Sequence, residues 1–102
     1  MREVGERVKE KMARARATGQ AGGGAARAVV SGQMRVVEIE LSGPLVSGMA
    51  ADDKTRALAG TLIAEAVNSA LEQAQRMLQE EISKEARELG LPDLPGLGDL
   101  LK

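Results

Sequence analysis

Apolar residues recur every three or four positions at the start of the chain, which predicts a helix over about residues 2–13. Val4, Val8 and Met12 form the apolar face of this helix. The pattern then changes to alternation in three short segments, which is typical of β-strands with one buried face. The chain is therefore expected to form a three-stranded antiparallel sheet over about residues 14–41.

Residues 42–51 are rich in Gly, Pro and Ser, and this composition predicts a loop. Asp52 or Asp53 is expected to cap the helix that follows, because a carboxylate accepts hydrogen bonds from the free N–H groups of a first helical turn. Apolar residues then recur at steps of three and four as far as Leu89, and Gly90 ends the pattern.

The predicted fold class is α+β in a single domain, residues 1–102: an N-terminal helix, a three-stranded antiparallel sheet and a long C-terminal helix over about 53–89. Residues 90–102 follow as a tail that is apolar enough to dock. The long helix would measure about 55 Å, whereas a compact domain of 100 residues has a radius of gyration of about 13 Å. The helix therefore either breaks near Gly60 or projects with an exposed apolar stripe.

An exposed apolar stripe normally meets a partner, so we expect a homodimer built from this stripe and an edge strand. Asn68 is the only asparagine and lies among apolar residues, which predicts a buried hydrogen bond within the chain or across the dimer. The residues expected to hold the structure or the dimer together are Val37, Ile39, Leu62, Asn68, Leu78 and Ile82.

The composition removes several functional classes. The chain has no Cys and no His, which excludes thiol or imidazole catalysis and the common zinc sites. It has no aromatic residue, and so lacks the stacking surfaces that hold single-stranded nucleic acid. We expect no catalytic residue, no metal, no cofactor and no small-molecule substrate.

The glycine run Gly22–Gly24 could be mistaken for a phosphate-binding loop. A P-loop requires Lys followed by Ser or Thr after the last glycine, but Ala25 and Ala26 stand there. The run is better interpreted as the link between the first two strands.

Charge is distributed unevenly along a chain whose net charge is −1. Residues 1–17 carry a local charge of +3, and residues 72–88 carry −2. Arg7, Lys11 and Arg14 share one face of the first helix. The basic start and the acidic later helix attract each other, serve different partners, or keep the protein in solution as two solvated faces. No apolar run reaches the length of a membrane span, and we expect a cytoplasmic protein without membrane contact.

Three segments in their order carry a family resemblance: "GGGAARAVVSGQMRVVEIEL", "AVNSALEQA" and the Leu-Pro-Gly tail. Over roughly residues 8–97 the chain resembles the bacterial nucleoid-associated proteins of the YbaB/EbfC family. The resemblance implies a tweezer-like homodimer that binds double-stranded DNA with little sequence preference. It also implies DNA contacts on the first and last helices, at Arg2, Arg7, Lys9, Lys11, Arg14, Arg76, Lys84 and Arg87.

We therefore expect a nucleoid-associated protein of the cytoplasm that influences nucleoid organisation and gene expression. The alternative is a dimeric scaffold for protein–protein interaction with weak or no DNA binding, which the acidic balance of residues 72–88 favours. An enzyme is the least favoured class, because no acid–base pair or nucleophile is present.

Overall fold

The computed structural model describes residues 2–90, with side chains from residue 5 onward. The order of elements confirms the predicted N-terminal helix, three-stranded antiparallel sheet and long C-terminal helix, and the helix ends differ from the predicted ones by one position. The predicted tail begins at Gly90, and the rest of it lies outside the described residues. The elements are α1 (Arg2–Arg14), β1 (Arg16–Ala21), β2 (Ala26–Ser31), β3 (Val36–Leu41), α2 (Gly43–Ala51) and α3 (Asp53–Glu88).

The prediction of a loop over residues 42–51 is wrong, since α2 occupies nearly all of this segment. The Ser42 hydroxyl accepts a hydrogen bond from the Leu45 N–H at 3.3 Å. Pro44 lies in the first turn, where its missing N–H would have had no helical partner. The Ser-Gly-Pro sequence therefore starts a helix here rather than excluding one.

Two hairpins connect the strands in the order β1-β2-β3. Gly22, Gly23 and Gly24 all have positive φ and form the first hairpin turn, so the glycine run links two strands as predicted. The second turn follows Ser31; its sequence Gly32-Gln33 predicts a two-residue turn with Gly32 in the left-handed conformation, but the left-handed residue is Met34, with a φ of 64°. Gly32 is instead required for space, because a Cβ there would collide with the backbone of Met12.

The core consists of small side chains between the sheet and α3. Ala17, Ala26, Ala28 and Val30 form the covered face of the sheet, opposite Ala66, Ala70 and Ala74 of α3. Because these side chains are short, the helix backbone lies close to the strands. This packing explains how the chain forms a core without any aromatic residue.

Helix α3 continues through Gly60 without a break for 36 residues. The chain is elongated, with a radius of gyration of 17.5 Å and extents of 58 × 24 × 17 Å. This confirms that the long helix projects beyond the sheet. Its projecting part is not bare, however, because α1 packs against it, and Leu78 and Ile82 are only partly exposed.

Candidate nucleic-acid interface

The basic residues of interest lie on a two-helix arm, which we define as α1 together with residues 75–88 of α3. Lys11 of α1 contacts Glu81 and Glu85 of α3, and Arg7, one turn earlier, approaches Glu85. Since earlier residues of α1 meet later residues of α3, the two helices run antiparallel. The arm extends away from the sheet because α3 is longer than the strands that it covers.

An apolar seam joins the two helices of the arm. Val8 and Met12 of α1 are buried, with 6% and 5% of their surface exposed. Together with Leu78 and Ile82 of α3 they line an open groove of about 470 Å³. Because this apolar seam faces α3, it determines how α1 is turned about its own axis. The orientation of the charged side chains that flank the seam follows from that.

A cluster of four charged residues lies beside the seam. The Lys11 ammonium donates hydrogen bonds to Glu81 Oε1 at 2.7 Å and to Glu85 Oε1 at 2.9 Å. Arg7 Nη1 lies 3.9 Å from Glu85 Oε2, which is too far for a hydrogen bond. The Glu85 side chain is only 2% exposed, and within the part of the chain that the structure describes its Oε2 accepts no hydrogen bond.

These contacts favour the charged form of both partners. The hydrogen bonds to Glu81 and Glu85 raise the pKa of Lys11 above its ordinary value of 10.5. The hydrogen bond from Lys11 lowers the pKa of Glu85 below its ordinary value of 4.5, against the opposing effect of burial. By formal charge the cluster combines two basic and two acidic side chains, so it presents no net positive charge.

The basic residues of α3 are arranged differently. Arg76, Lys84 and Arg87 are exposed, and none of them forms a salt bridge with another residue in the described range 5–90. Arg76 precedes Glu85 by nine residues, which at 3.6 residues per turn places it about 180° around the helix. Arg87 lies on nearly the same side as Arg76. Arg76 and Arg87 thus point away from the charged cluster, whereas Lys84, next to Glu85 in sequence, lies about 100° around the helix from it.

The remaining predicted DNA contacts lie along α1. Arg14 is exposed, and Lys9 is exposed at the edge of the apolar groove. Arg2 belongs to α1, but its side chain lies outside the described residues. The structure therefore places most of the predicted basic residues on the arm, where they face in several directions and form no single patch.

The residues predicted to hold the structure or the dimer together differ in their exposure. Leu62 packs against the core within the chain. Val37 and Ile39, by contrast, are 52% and 39% exposed, because α3 packs on β1 and β2 and leaves the edge strand β3 uncovered. Asn68 is also exposed, so the prediction of burial within its own chain is wrong; α3 turns this position away from the sheet. A contact of Asn68 across a dimer remains a prediction.

Two further observations concern other kinds of site. In the described part of the chain, no three acidic side chains come together as a metal-binding group would. None of the helices between residues 2 and 90 combines the length and hydropathy that crossing a bilayer requires.

Comparison with known proteins identifies the family. The family model described as the YbaB/EbfC DNA-binding family matches residues 1–89. The chain belongs to this family. It is a family of DNA-binding, nucleoid-associated proteins and not a family of enzymes.

Similar relatives are named as nucleoid-associated proteins. The chain is 41% identical to one from Chlorobium luteolum over 68% of its own length, and 33% identical to one from Chlorobium phaeobacteroides over 78%. These matches span 57% and 65% of the two relatives, which is less than two thirds of either protein. A relative from Streptomyces avermitilis is 34% identical over 88% of the chain and 75% of the relative.

A solved crystal structure has the same fold as this chain. The crystal structure of an uncharacterized protein from Helicobacter pylori matches with a TM-score of 0.60 and 16% sequence identity, over 78% of this chain and 87% of that one. At this identity the likeness concerns the fold alone.

Sequence reasoning allowed that the basic start and the acidic later helix attract each other, but it did not single out Glu81 and Glu85 as the partners. Arg7 and Lys11 are four residues apart on α1, and Glu81 and Glu85 are four residues apart on α3. Each pair shares one face of its helix, which was a usable signal. The missing information was that α1 lies antiparallel to the end of α3, at the register that brings the two pairs together.

Proposed function

We propose that this protein binds double-stranded DNA as a homodimer, with little sequence preference, and acts as a nucleoid-associated protein. Membership of a DNA-binding family supports the class of partner. Exposed basic side chains on α3 are the main structural support for this proposal. Arg76, Lys84 and Arg87 have no acidic partner among the described residues and lie on a projecting helix.

The uncovered edge of the sheet supports the homodimer. Val36, Val37 and Ile39 of β3 are 49%, 52% and 39% exposed. Val46 of α2 and Leu58 of α3 are 50% and 52% exposed as well. A strand with free backbone groups and apolar side chains pairs readily with a second strand, and an identical chain supplies the same surface.

The binding mechanism follows from the charges of duplex DNA. Each phosphate that a Lys or Arg side chain neutralises releases condensed counterions, so log K falls by about 0.9 per neutralised phosphate for each unit of log salt. Two arms in a dimer contact the backbone at two places. Contacts to phosphate carry no sequence information, which is consistent with binding that depends little on sequence.

A protein-interaction scaffold is the second candidate, and the apolar groove between α1 and α3 favours it. The two candidates differ in the residues on which they depend. A scaffold requires the groove residues Leu78 and Ile82, whereas DNA binding requires Arg76, Lys84 and Arg87.

The test is a salt titration on two duplexes of unrelated sequence, with molecular mass measured under the same conditions. We expect a dimer whose affinity falls steeply with salt and is similar for both duplexes. Absence of binding at low salt, or affinity that does not change with salt, would contradict DNA binding. A monomeric mass would contradict the dimer.

A further inference from the structure

We propose that Glu81 and Glu85 limit DNA affinity by holding Lys11 away from phosphate and by offsetting the charge of Arg7. This inference rests on the proposed DNA binding and adds residues that set its strength. Two of the three N–H donors of the Lys11 ammonium go to carboxylates, at 2.7 and 2.9 Å. A phosphate oxygen would compete with these carboxylates for the same cation.

Release of Lys11 is unfavourable because of the surroundings of Glu85. The Glu85 side chain is 2% exposed, and its Oε2 already lacks a hydrogen bond among the described residues. Departure of Lys11 would remove the hydrogen bond to Oε1 too and leave a buried carboxylate without any donor, which is strongly unfavourable. Glu85 therefore retains Lys11, and Glu81, which is 19% exposed, adds a second carboxylate to the same ammonium.

The cluster also reduces the share of α1 in the proposed DNA contacts. Arg7 and Lys11 are basic residues of α1, but two carboxylates of α3 offset their charges. Arg76 and Arg87 have no such partner in the described residues and lie on the other side of α3. In the native protein the exposed cations outside the cluster bind phosphate, and the carboxylates offset the charges of Arg7 and Lys11.

Matched substitutions test this competition. In Glu81→Gln/Glu85→Gln the side-chain shape is kept and two negative charges are removed from the cluster. In the control Glu80→Gln/Glu88→Gln the same charge is removed at two exposed positions of the same helix. Both variants change the general attraction for DNA equally, so a difference between them reports the release of Lys11 and the removal of the charges that offset Arg7.

We expect the cluster variant to bind a duplex more tightly than the control and with a steeper salt dependence, by about 0.9 for each additional phosphate that a released cation neutralises. Adding Lys11→Gln to the cluster variant should remove a large part of this increase, whereas the same substitution in the control should change the salt slope little. Hydrogen exchange of the α1 amides checks that α1 stays packed. If Lys11→Gln reverses the increase in affinity, the increase comes from the freed Lys11 ammonium and not from detachment of α1 from α3.

Each outcome decides the inference. Equal affinity and slope for the two double variants would overturn it while DNA binding itself stands. If no protein binds the duplex at low salt, the proposed function and this inference both fail. Binding by the cluster variant alone would support this inference, because the carboxylates would then block DNA in the native chain, but it would contradict DNA binding by the native protein.

Discussion

Gly19 of β1 lies directly against the backbone of Ala66 and Ala70 in α3. A Cβ at Gly19 would collide with the Ala66 carbonyl oxygen and the Ala70 amide nitrogen. Together with Ala17, Ala26 and Ala28, this glycine lets a long helix lie unusually close to the sheet. The arm depends on this contact, because the sheet anchors the middle of α3, from Leu62 to Met77.

The first prediction concerns this close contact. Gly19→Ala should lower the free energy of unfolding by about 1–3 kcal/mol, since an added methyl group in a filled interface forces the helix and strand apart. Thermal or urea unfolding followed by far-UV circular dichroism measures the change. Gly60→Ala is the control: Gly60 is helical with open space around it, and the substitution should stabilise the protein by about 0.5–1 kcal/mol. Equal effects of the two substitutions would contradict the close packing at Gly19.

The second prediction concerns the edge strand. Ile39→Asp should convert the proposed dimer to a monomer, because it places a charge on the uncovered apolar face of β3. Thr18→Asp adds the same charge at an exposed position of β1 and should leave the dimer intact. Sedimentation or light scattering gives the mass, and circular dichroism checks that both variants remain folded. A dimeric Ile39→Asp protein would place the interface elsewhere.

The third prediction concerns DNA contacts on α3. Arg76→Gln and Arg87→Gln should each weaken binding to any duplex and reduce the salt slope by about 0.9 for each phosphate that is no longer neutralised. Arg56→Gln is the control, because Arg56 pairs with Asp53 at the opposite end of the helix. Fluorescence anisotropy of a labelled duplex at several salt concentrations measures both quantities. The assignment fails if Arg56→Gln has the larger effect.

The fourth prediction concerns pH. The folded-state pKa of Glu85 lies below its ordinary value of 4.5, so its contribution to stability is fully present above pH 4.5 and is lost as pH falls through the folded-state value. The pKa of Lys11 is raised, so its contribution is present below its ordinary value of 10.5 and is lost as pH rises beyond it.

The difference in melting temperature between the native protein and Glu85→Gln should therefore stay constant between these limits and shrink on the acidic side. Circular dichroism melts across the pH range measure this difference. Glu80→Gln, at an exposed position of the same helix, should show no such change. A difference that persists unchanged far below pH 4.5 would show that the Lys11–Glu85 contact does not contribute to stability.

Local signals predicted most elements of the fold. The Asp52 carboxylate accepts from the Thr55 N–H at 2.7 Å and caps α3 as predicted, because a cap depends only on residues three positions apart. Gly90 follows the end of α3 with a φ of 76°, as expected for a glycine that ends a helix. The helix α2 was missed, since Ser-Gly-Pro is compatible with both a loop and a capped helix start.

The sequence by itself determined the α+β class, the order and approximate ends of the main elements, and the length of a helix that outreaches its sheet. Spacing of apolar residues and turn chemistry encode these features within short segments. Only the tertiary structure decided that Lys11 meets Glu81 and Glu85, that Ile39 is left uncovered and that Asn68 is exposed. Each of these depends on the register between elements distant in the chain, which follows from how closely the small side chains let α3 and α1 pack.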